Sequence, residues 1–257
     1  DAQVFCKTAA FNFNTALFFG KWLRDLVSEQ TDEFGVPHVV PNILGNQEGA
    51  AAWSDAATII PWTMYQVYGD VRVLKDQYES MKAWVDYIKR QDEKSGSKRL
   101  WTTGFHFGDW LALDGENPDV PLGGTEEAFI ASAYYRYSSM LVAKAAKVLG
   151  KEELAKEYET LSNEVREAIV DEYFTKNGRL ALKNQTAYVL ALFMDLVPEG
   201  KRERVINDLR ERLVKDKVHL KTGFVGTPYI CRVLSENGYN DLAYTLLLNE
   251  DYPSWLY

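Results

Sequence analysis

Cysteine and histidine are scarce in this chain, and neither type clusters: two Cys and three His occur in 257 residues. Cys6 and Cys231 lie in apolar stretches at opposite ends, outside any CxxC or Cys/His spacing. They read as small buried hydrophobes, which sets aside a disulfide framework, a metal site and a thiol nucleophile. No apolar run is long and free of charge, and the mean hydropathy is −0.29, so the sequence offers no membrane span and no membrane insertion is expected. Positive charge is also in deficit, with 29 Lys and Arg against 37 Asp and Glu and a net charge of −8. A nucleic acid or an anionic bilayer would find no basic face to bind. There is no GxSxG for a serine nucleophile, no HExxH for zinc and no DDxxD cluster for diphosphate chemistry. Gly123-Gly124-Thr125-Glu126-Glu127 is not a phosphate loop, because no Lys follows it, and reads as a helix start instead. No feature calls for a metal. The chain begins at Asp1 without an initiator Met or signal sequence and stops at Trp255-Leu256-Tyr257 without a tail, which reads as a segment cut from a longer chain.

What the chain has in quantity is aromatic surface: 7 Trp, 15 Tyr and 12 Phe in an acidic background. That composition suits a neutral ligand with an apolar face better than an anion. Helical periods dominate. Leu74, Tyr78, Met81, Val85 and Ile88 step by three or four, as do Leu154, Tyr158, Leu161, Val165 and Ile169, and Val205, Leu209 and Leu213. Each set predicts a helix with one apolar stripe. Ala56–Tyr68, Ala128–Val142, Ala187–Val197 and the shorter Pro228–Leu234 are apolar nearly all round and predict helices covered on every side.

In chain order the two kinds alternate: 55–68, 125–149, 186–197 and 228–236 buried, 71–94, 151–174, 199–215 and 241–249 one-sided. A first helix over about 3–29 would be an outer one. The pattern predicts an all-α fold of helical hairpins, each giving one helix to an inner and one to an outer layer, closed as an α/α toroid or left open as a solenoid. Buried-to-amphipathic links are tight, at Gly69-Asp70, Gly150, Pro198-Glu199-Gly200 and Gly238-Tyr239, whereas the return links 30–54, 95–124, 175–185 and 216–227 are long. Trp53, Trp101, Trp110 and all three His lie in the long links, the usual place for a site on a rigid scaffold. Short strands are conceivable at His38-Val39-Val40 and Arg179-Leu180-Ala181-Leu182.

Three segments carry candidate chemistry. In Trp53-Ser54-Asp55-Ala56, Ser54 or Asp55 reads either as a helix cap or as a ligand-facing acid, and Trp53 follows four small residues in a loop. In Gly104-Phe105-His106-Phe107-Gly108-Asp109-Trp110 a carboxylate adjoins an indole, the pairing in which a ring covers a sugar's C–H face while an acid accepts from its hydroxyls. The competing reading is a turn with Trp110 in the core. Thr222-Gly223-Phe224-Val225-Gly226-Thr227-Pro228 enters a helix with Pro in the first turn and Phe224 held between glycines. With other mechanisms lacking parts, carboxylate chemistry beside aromatics remains; glycoside hydrolysis with inversion uses two carboxyls about 6.5–9.5 Å apart.

These segments, with Asp1-Ala2-Gln3, Val36-Pro37 to Pro41, Gly238-Tyr239-x-Asp241-x-Ala243-Tyr244 and Tyr252-Pro253-Ser254-Trp255, occur in an order that resembles the catalytic domain of bacterial α-L-rhamnosidases, glycoside hydrolase family 78. The resemblance runs over essentially the whole chain. It implies an (α/α)6 barrel, incomplete at both ends here as a single segment over 1–257, and inverting hydrolysis of terminal α-L-rhamnosyl residues without a cofactor. It further implies that Asp1 closes the family's Glu-Arg-x-Gly-Trp-x-Gly-Asp motif and binds the sugar, and that Trp53 and Trp110 wall the pocket, with Asp55, Asp109 and Phe224 as further contacts. The family's general acid precedes the position of Asp1 and its general base follows the Tyr252–Trp255 region. The implication is a sugar-binding piece of a rhamnosidase, with no catalytic residue of its own and inactive alone, whose partners are rhamnose-containing glycosides or polysaccharides and the rest of its parent chain. Two other readings stay open on the residues: an α/α-barrel glycosidase for another sugar, and a non-catalytic helical-repeat scaffold that binds protein.

Overall fold

A computed structural model describes all residues except Phe34, Asn46, Gln47 and Pro118. Among the described residues there are ten helices and only isolated β-bridges: α1 Ala2–Asn12, α2 Ala16–Glu29, α3 Ala56–Tyr68, α4 Val71–Lys94, α5 Glu127–Val148, α6 Glu152–Tyr173, α7 Gln185–Phe193, α8 Arg202–Lys215, α9 Thr227–Glu236 and α10 Asn240–Leu247. The fold is all-α, as the periodicity predicts. The chain forms two compact units, Asp1–His106 with Tyr134–Val165, and Phe107–Ala133 with Arg166–Tyr257.

In the first unit α3 packs against α1, α2 and α4. Its residues Ala56–Ile60 are buried without a break, whereas α4 buries Leu74, Tyr78, Met81, Trp84, Val85 and Ile88 at helical spacing. These are the two patterns that the sequence separates, one helix enclosed and one with a solvent face. Asp70 caps α4 by accepting from the Arg72 N–H at 2.9 Å, so the Gly69-Asp70 link both turns the chain and starts the next helix.

In the second unit α7 packs on α8 and α9, and α9 on α10. Residues 185–192 of α7 are all buried, while α8 buries Val205, Ile206, Leu209 and Leu213 only. Asn184 caps α7 through its side chain, accepting from the Ala187 N–H at 2.9 Å. The helix ends at Phe193 rather than Val197 because Asp195 turns to a left-handed φ of 53°. Arg166 then takes the released carbonyls, donating to Asp195 O at 2.8 Å and Val197 O at 2.5 Å.

Three expectations are corrected. The first helix is two, broken at Phe13, whose extended backbone (φ −140°, ψ 157°) ends α1. Asn12 and Asn14 both bond nearby backbone, Asn12 to Thr8 O and Asn14 to the Ala16 N–H, the local competition by which Asn interrupts helices. α9 is one-sided, burying Ile230, Val233 and Leu234 while Arg232 and Glu236 pair at 2.7 Å outside; ten residues are too few for periodicity to separate the faces. Segment 38–40 is no strand, because the loop spends its polar groups elsewhere: Trp22 Nε1 donates to Val40 O at 3.2 Å and Ser54 Oγ to Val36 O at 2.8 Å. Around residue 180 there is only a bridge between Phe174 and Leu180.

Candidate functional site

In the first unit the long links converge on the turn that enters α3. Ala50, Ala51 and Ala52 are buried there, with their backbone lying on an aromatic cluster. Trp84 stacks on Tyr87 at 5.4 Å between centroids, and Trp101 meets Trp84 and the His106 ring edge-on at 5.8 and 4.5 Å. A Cβ on Gly49 would fall 2.3 Å from the Trp84 ring, so glycine at this position is what lets the chain approach the indole. The turn is then pinned by hydrogen bonds: Ala51 N–H to His106 Nδ1 at 3.2 Å, Ala50 N–H to Ser54 Oγ at 3.1 Å, and Ala52 N–H to Asp55 Oδ2 at 2.8 Å.

Trp53 emerges from this turn half-buried and lines a cavity of about 260 Å³ together with Asp1, Gln3, Trp22, His38 and Ala56. The Asp1 carboxylate makes no cap bond to its own helix; the Asp1 carbonyl instead accepts from Phe5 N–H at 3.0 Å. The cavity thus presents one exposed acid, two indoles and an imidazole, a combination that accepts from hydroxyls and covers C–H faces. Trp22 and His38 are members that the sequence reading did not single out. Trp22 is masked by the helical pattern of α2, and the only hint for His38 is its place in a long link.

Asp55 lies elsewhere than expected of a ligand contact. It is fully buried, and Trp84 Nε1 donates to Oδ1 at 2.8 Å, Ser138 Oγ to the same oxygen, and Ala52 N–H to Oδ2. Burial pushes its carboxyl up, while the bonds from Ser138, Trp84 and Ala52 pull it back. The acid does not cap α3 either; it joins the entry turn to α4 and α5.

His106 is a structural hydrogen-bonder too. Nδ1 accepts from Ala51 N–H, which leaves Nε2 to donate to Thr103 O at 3.2 Å, so the ring is held neutral. Burial lowers its pKa to about 4 from an ordinary 6.5. Because the unfolded chain takes up the proton first, this His favours folding above pH 6.5 and loses that contribution as pH falls towards 4. The loss is about 3 kcal/mol over that window. Urea unfolding at pH 7 and pH 4 is expected to show a pH dependence about that much smaller in His106→Gln; an unchanged difference would assign the acid sensitivity to other groups.

In the second unit Asp109, Trp110 and Phe224 come together, with the two aromatics half-buried and Asp109 fully buried. Phe107 meets Trp110 edge-on at 5.6 Å. Asp109 accepts from Gly223 N–H at 2.9 Å, Val225 N–H at 2.8 Å and Thr186 Oγ1. Burial raises its carboxyl as well, against those three donors. Thr125 Oγ1, just ahead of α5, donates to Asn184 Oδ1 at 2.8 Å. Among the described residues no group of three or more His, Cys, Asp or Glu is placed to hold a metal ion, and no helix is long and apolar enough to cross a membrane.

The profile of the bacterial alpha-L-rhamnosidase 6 hairpin glycosidase domain matches residues 1–257. The chain belongs to this family. As a six-hairpin glycosidase domain it is 40% identical over its whole length to an alpha-L-rhamnosidase of Formosa agariphila, and covers 27% of that protein. It superposes on the crystal structure of the Streptomyces avermitilis alpha-L-rhamnosidase complexed with L-rhamnose with a TM-score of 0.86 at 37% identity, covering all of this chain and 23% of the other. For the native alpha-L-rhamnosidase of Aspergillus terreus the TM-score is 0.90 at 32% identity, covering all of this chain and 30% of the other. The domain therefore spans about a quarter of the length of the relatives it matches.

Proposed function

We propose that this domain supplies the sugar-binding surface of an inverting α-L-rhamnosidase that cleaves terminal α-L-rhamnosyl residues from glycosides or polysaccharides, working with other parts of a longer chain. The observation that carries the reading is the cavity in which Asp1 faces Trp53 and Trp22. Rhamnose has a methyl group where mannose carries a hydroxymethyl, so an indole-lined pocket with one acceptor suits it. Asp1 and Trp53 are the assigned sugar contacts of the first unit; Trp110 and Phe224 are, by themselves, the assigned glycoside contacts of the second. Asp55 and Asp109 are reassigned from sugar contacts to supports, since all their oxygens already accept from the protein.

Inverting hydrolysis requires two carboxyls, one on each side of the bond. Asp1 is the one carboxylate among the described residues that line the cavity. The domain alone is therefore expected to bind L-rhamnose in calorimetric titration, with L-mannose weaker by about tenfold or more, and to show no turnover of nitrophenyl α-L-rhamnoside. Equal binding of the two sugars would remove rhamnose as the ligand. Turnover by the domain alone would place both catalytic carboxyls within it.

A further inference from the structure

We infer that Asp109 is a positioning residue, a buried clamp that ties the loop bearing Trp110 to the loop bearing Phe224, and not a group that touches substrate. Three successive backbone amides of the second loop are directed at one dipeptide of the first. Gly223 N–H donates to Asp109 Oδ2 at 2.9 Å, Phe224 N–H to Trp110 O at 2.9 Å, and Val225 N–H to Asp109 Oδ1 at 2.8 Å. Phe224 thus sits between two amides held by the same carboxylate, while its own amide is held by the residue next to that carboxylate.

The loops lie close enough that only glycine fits at the junction. A Cβ on Gly223 would stand 2.2 Å from Trp110 O and 2.5 Å from Ala112 N. A further bond, Leu113 N–H to Lys221 O at 3.1 Å, continues the pairing. Thr186 Oγ1, at the start of α7, donates to Oδ2 and references the clamp to the helix. Asp109 also holds its own loop, its carbonyl accepting from Ala112 N–H at 3.1 Å and Gly123 N–H at 3.0 Å. Both carboxylate oxygens are engaged and the residue has no exposed surface, so an incoming hydroxyl has nothing to bind there. Two aromatic-bearing loops far apart in sequence are tied together by a single acid.

The inference rests on the reading that Trp110 and Phe224 contact the glycoside, and the experiment separates the two. It uses the longest natural protein carrying this domain, assayed with nitrophenyl α-L-rhamnoside. In Asp109→Asn either orientation of the amide turns an NH2 towards a backbone N–H, of Gly223 or of Val225. KM is expected to rise about tenfold with a smaller change in kcat. Exchange of the Gly223 and Val225 amides should be faster by a similar factor, with the amides of α8 unchanged. Thr186→Val, which keeps both amide donors, should shift KM and exchange the same way by less, and serves if the Asn variant does not fold. A raised KM in Asp109→Asn with loop exchange unchanged would mean direct contact and overturn the clamp. So would lowered melting temperatures in both variants with KM and loop exchange at parental values, which would mean a role in the fold alone. Trp110→Ala tests the underlying reading: an unchanged KM there defeats the glycoside contact, whereas the exchange result still decides the clamp.

Discussion

Asp55→Ala is expected to lower folding stability by about 2–5 kcal/mol, because it removes the acceptor of several buried donors. Three donors converge on this carboxylate. Trp84 Nε1 lies in the aromatic cluster, the Ala52 amide in a left-handed turn at φ 67°, and Ser138 on α5, where its hydroxyl also meets Thr58 Oγ1 at 2.7 Å. Alanine leaves these groups buried and the indole N–H and amide unsatisfied, and unsatisfied buried donors each cost about 1–3 kcal/mol. Against a total stability of about 5–15 kcal/mol, the variant would be largely unfolded on warming. Asp55→Asn keeps one acceptor oxygen and should fall between, which makes the series measurable by denaturant unfolding if the alanine protein does not accumulate. A cost below about 1 kcal/mol for the alanine variant would show that water or a rearranged turn replaces the carboxylate.

The helices were legible because their signal is local. The stripe from Leu74 to Ile88 is buried at the spacing that identifies it, and so is Tyr158, Leu161, Val165 and Ile169. Residues 185–192 of α7 are buried throughout. The roles of the two aspartates were not legible, for the opposite reason. Trp84 is 29 residues from Asp55 and Ser138 is 83, while the partners of Asp109 lie 77 to 116 residues away. A Trp-x-Asp or Asp-Trp string looks the same whether the acid faces solvent or three inward donors. Trp53 follows four small residues in a loop and is half-buried, lining a cavity with Asp1. The broken first helix shows the limit from another side. Its Phe-rich sequence keeps an apolar count compatible with a continuous helix, and the interruption is decided by how Asn12 and Asn14 bond the backbone.

Trp53→Ala should weaken L-rhamnose binding by the domain about thirtyfold while leaving the fold in place. Stacking a sugar's C–H face on an indole removes ~80 Å² of apolar surface from water, which at ~25 cal/mol per Å² amounts to ~2 kcal/mol. The fold is expected to tolerate the change because the turn is held by backbone groups that alanine retains: Trp53 N–H to Ala50 O at 3.3 Å, Ala56 N–H to Trp53 O at 3.3 Å and Ser54 N–H to Ala50 O at 2.9 Å. The side chain is half-exposed, so less packing is lost than at Trp84 or Trp101, which are fully buried. Trp53→Phe keeps a ring with less area and should retain part of the affinity. Asp1→Asn replaces the charged acceptor while leaving the indole wall intact, and should weaken binding by about tenfold through the lost charge-assisted bond. Calorimetry with L-rhamnose, read beside thermal melting of each variant, distinguishes these effects. If Trp53→Ala binds as the parent does while melting normally, the cavity beside Asp1 is not where the sugar sits, and the loops bearing Trp110 and Phe224 become the place to look.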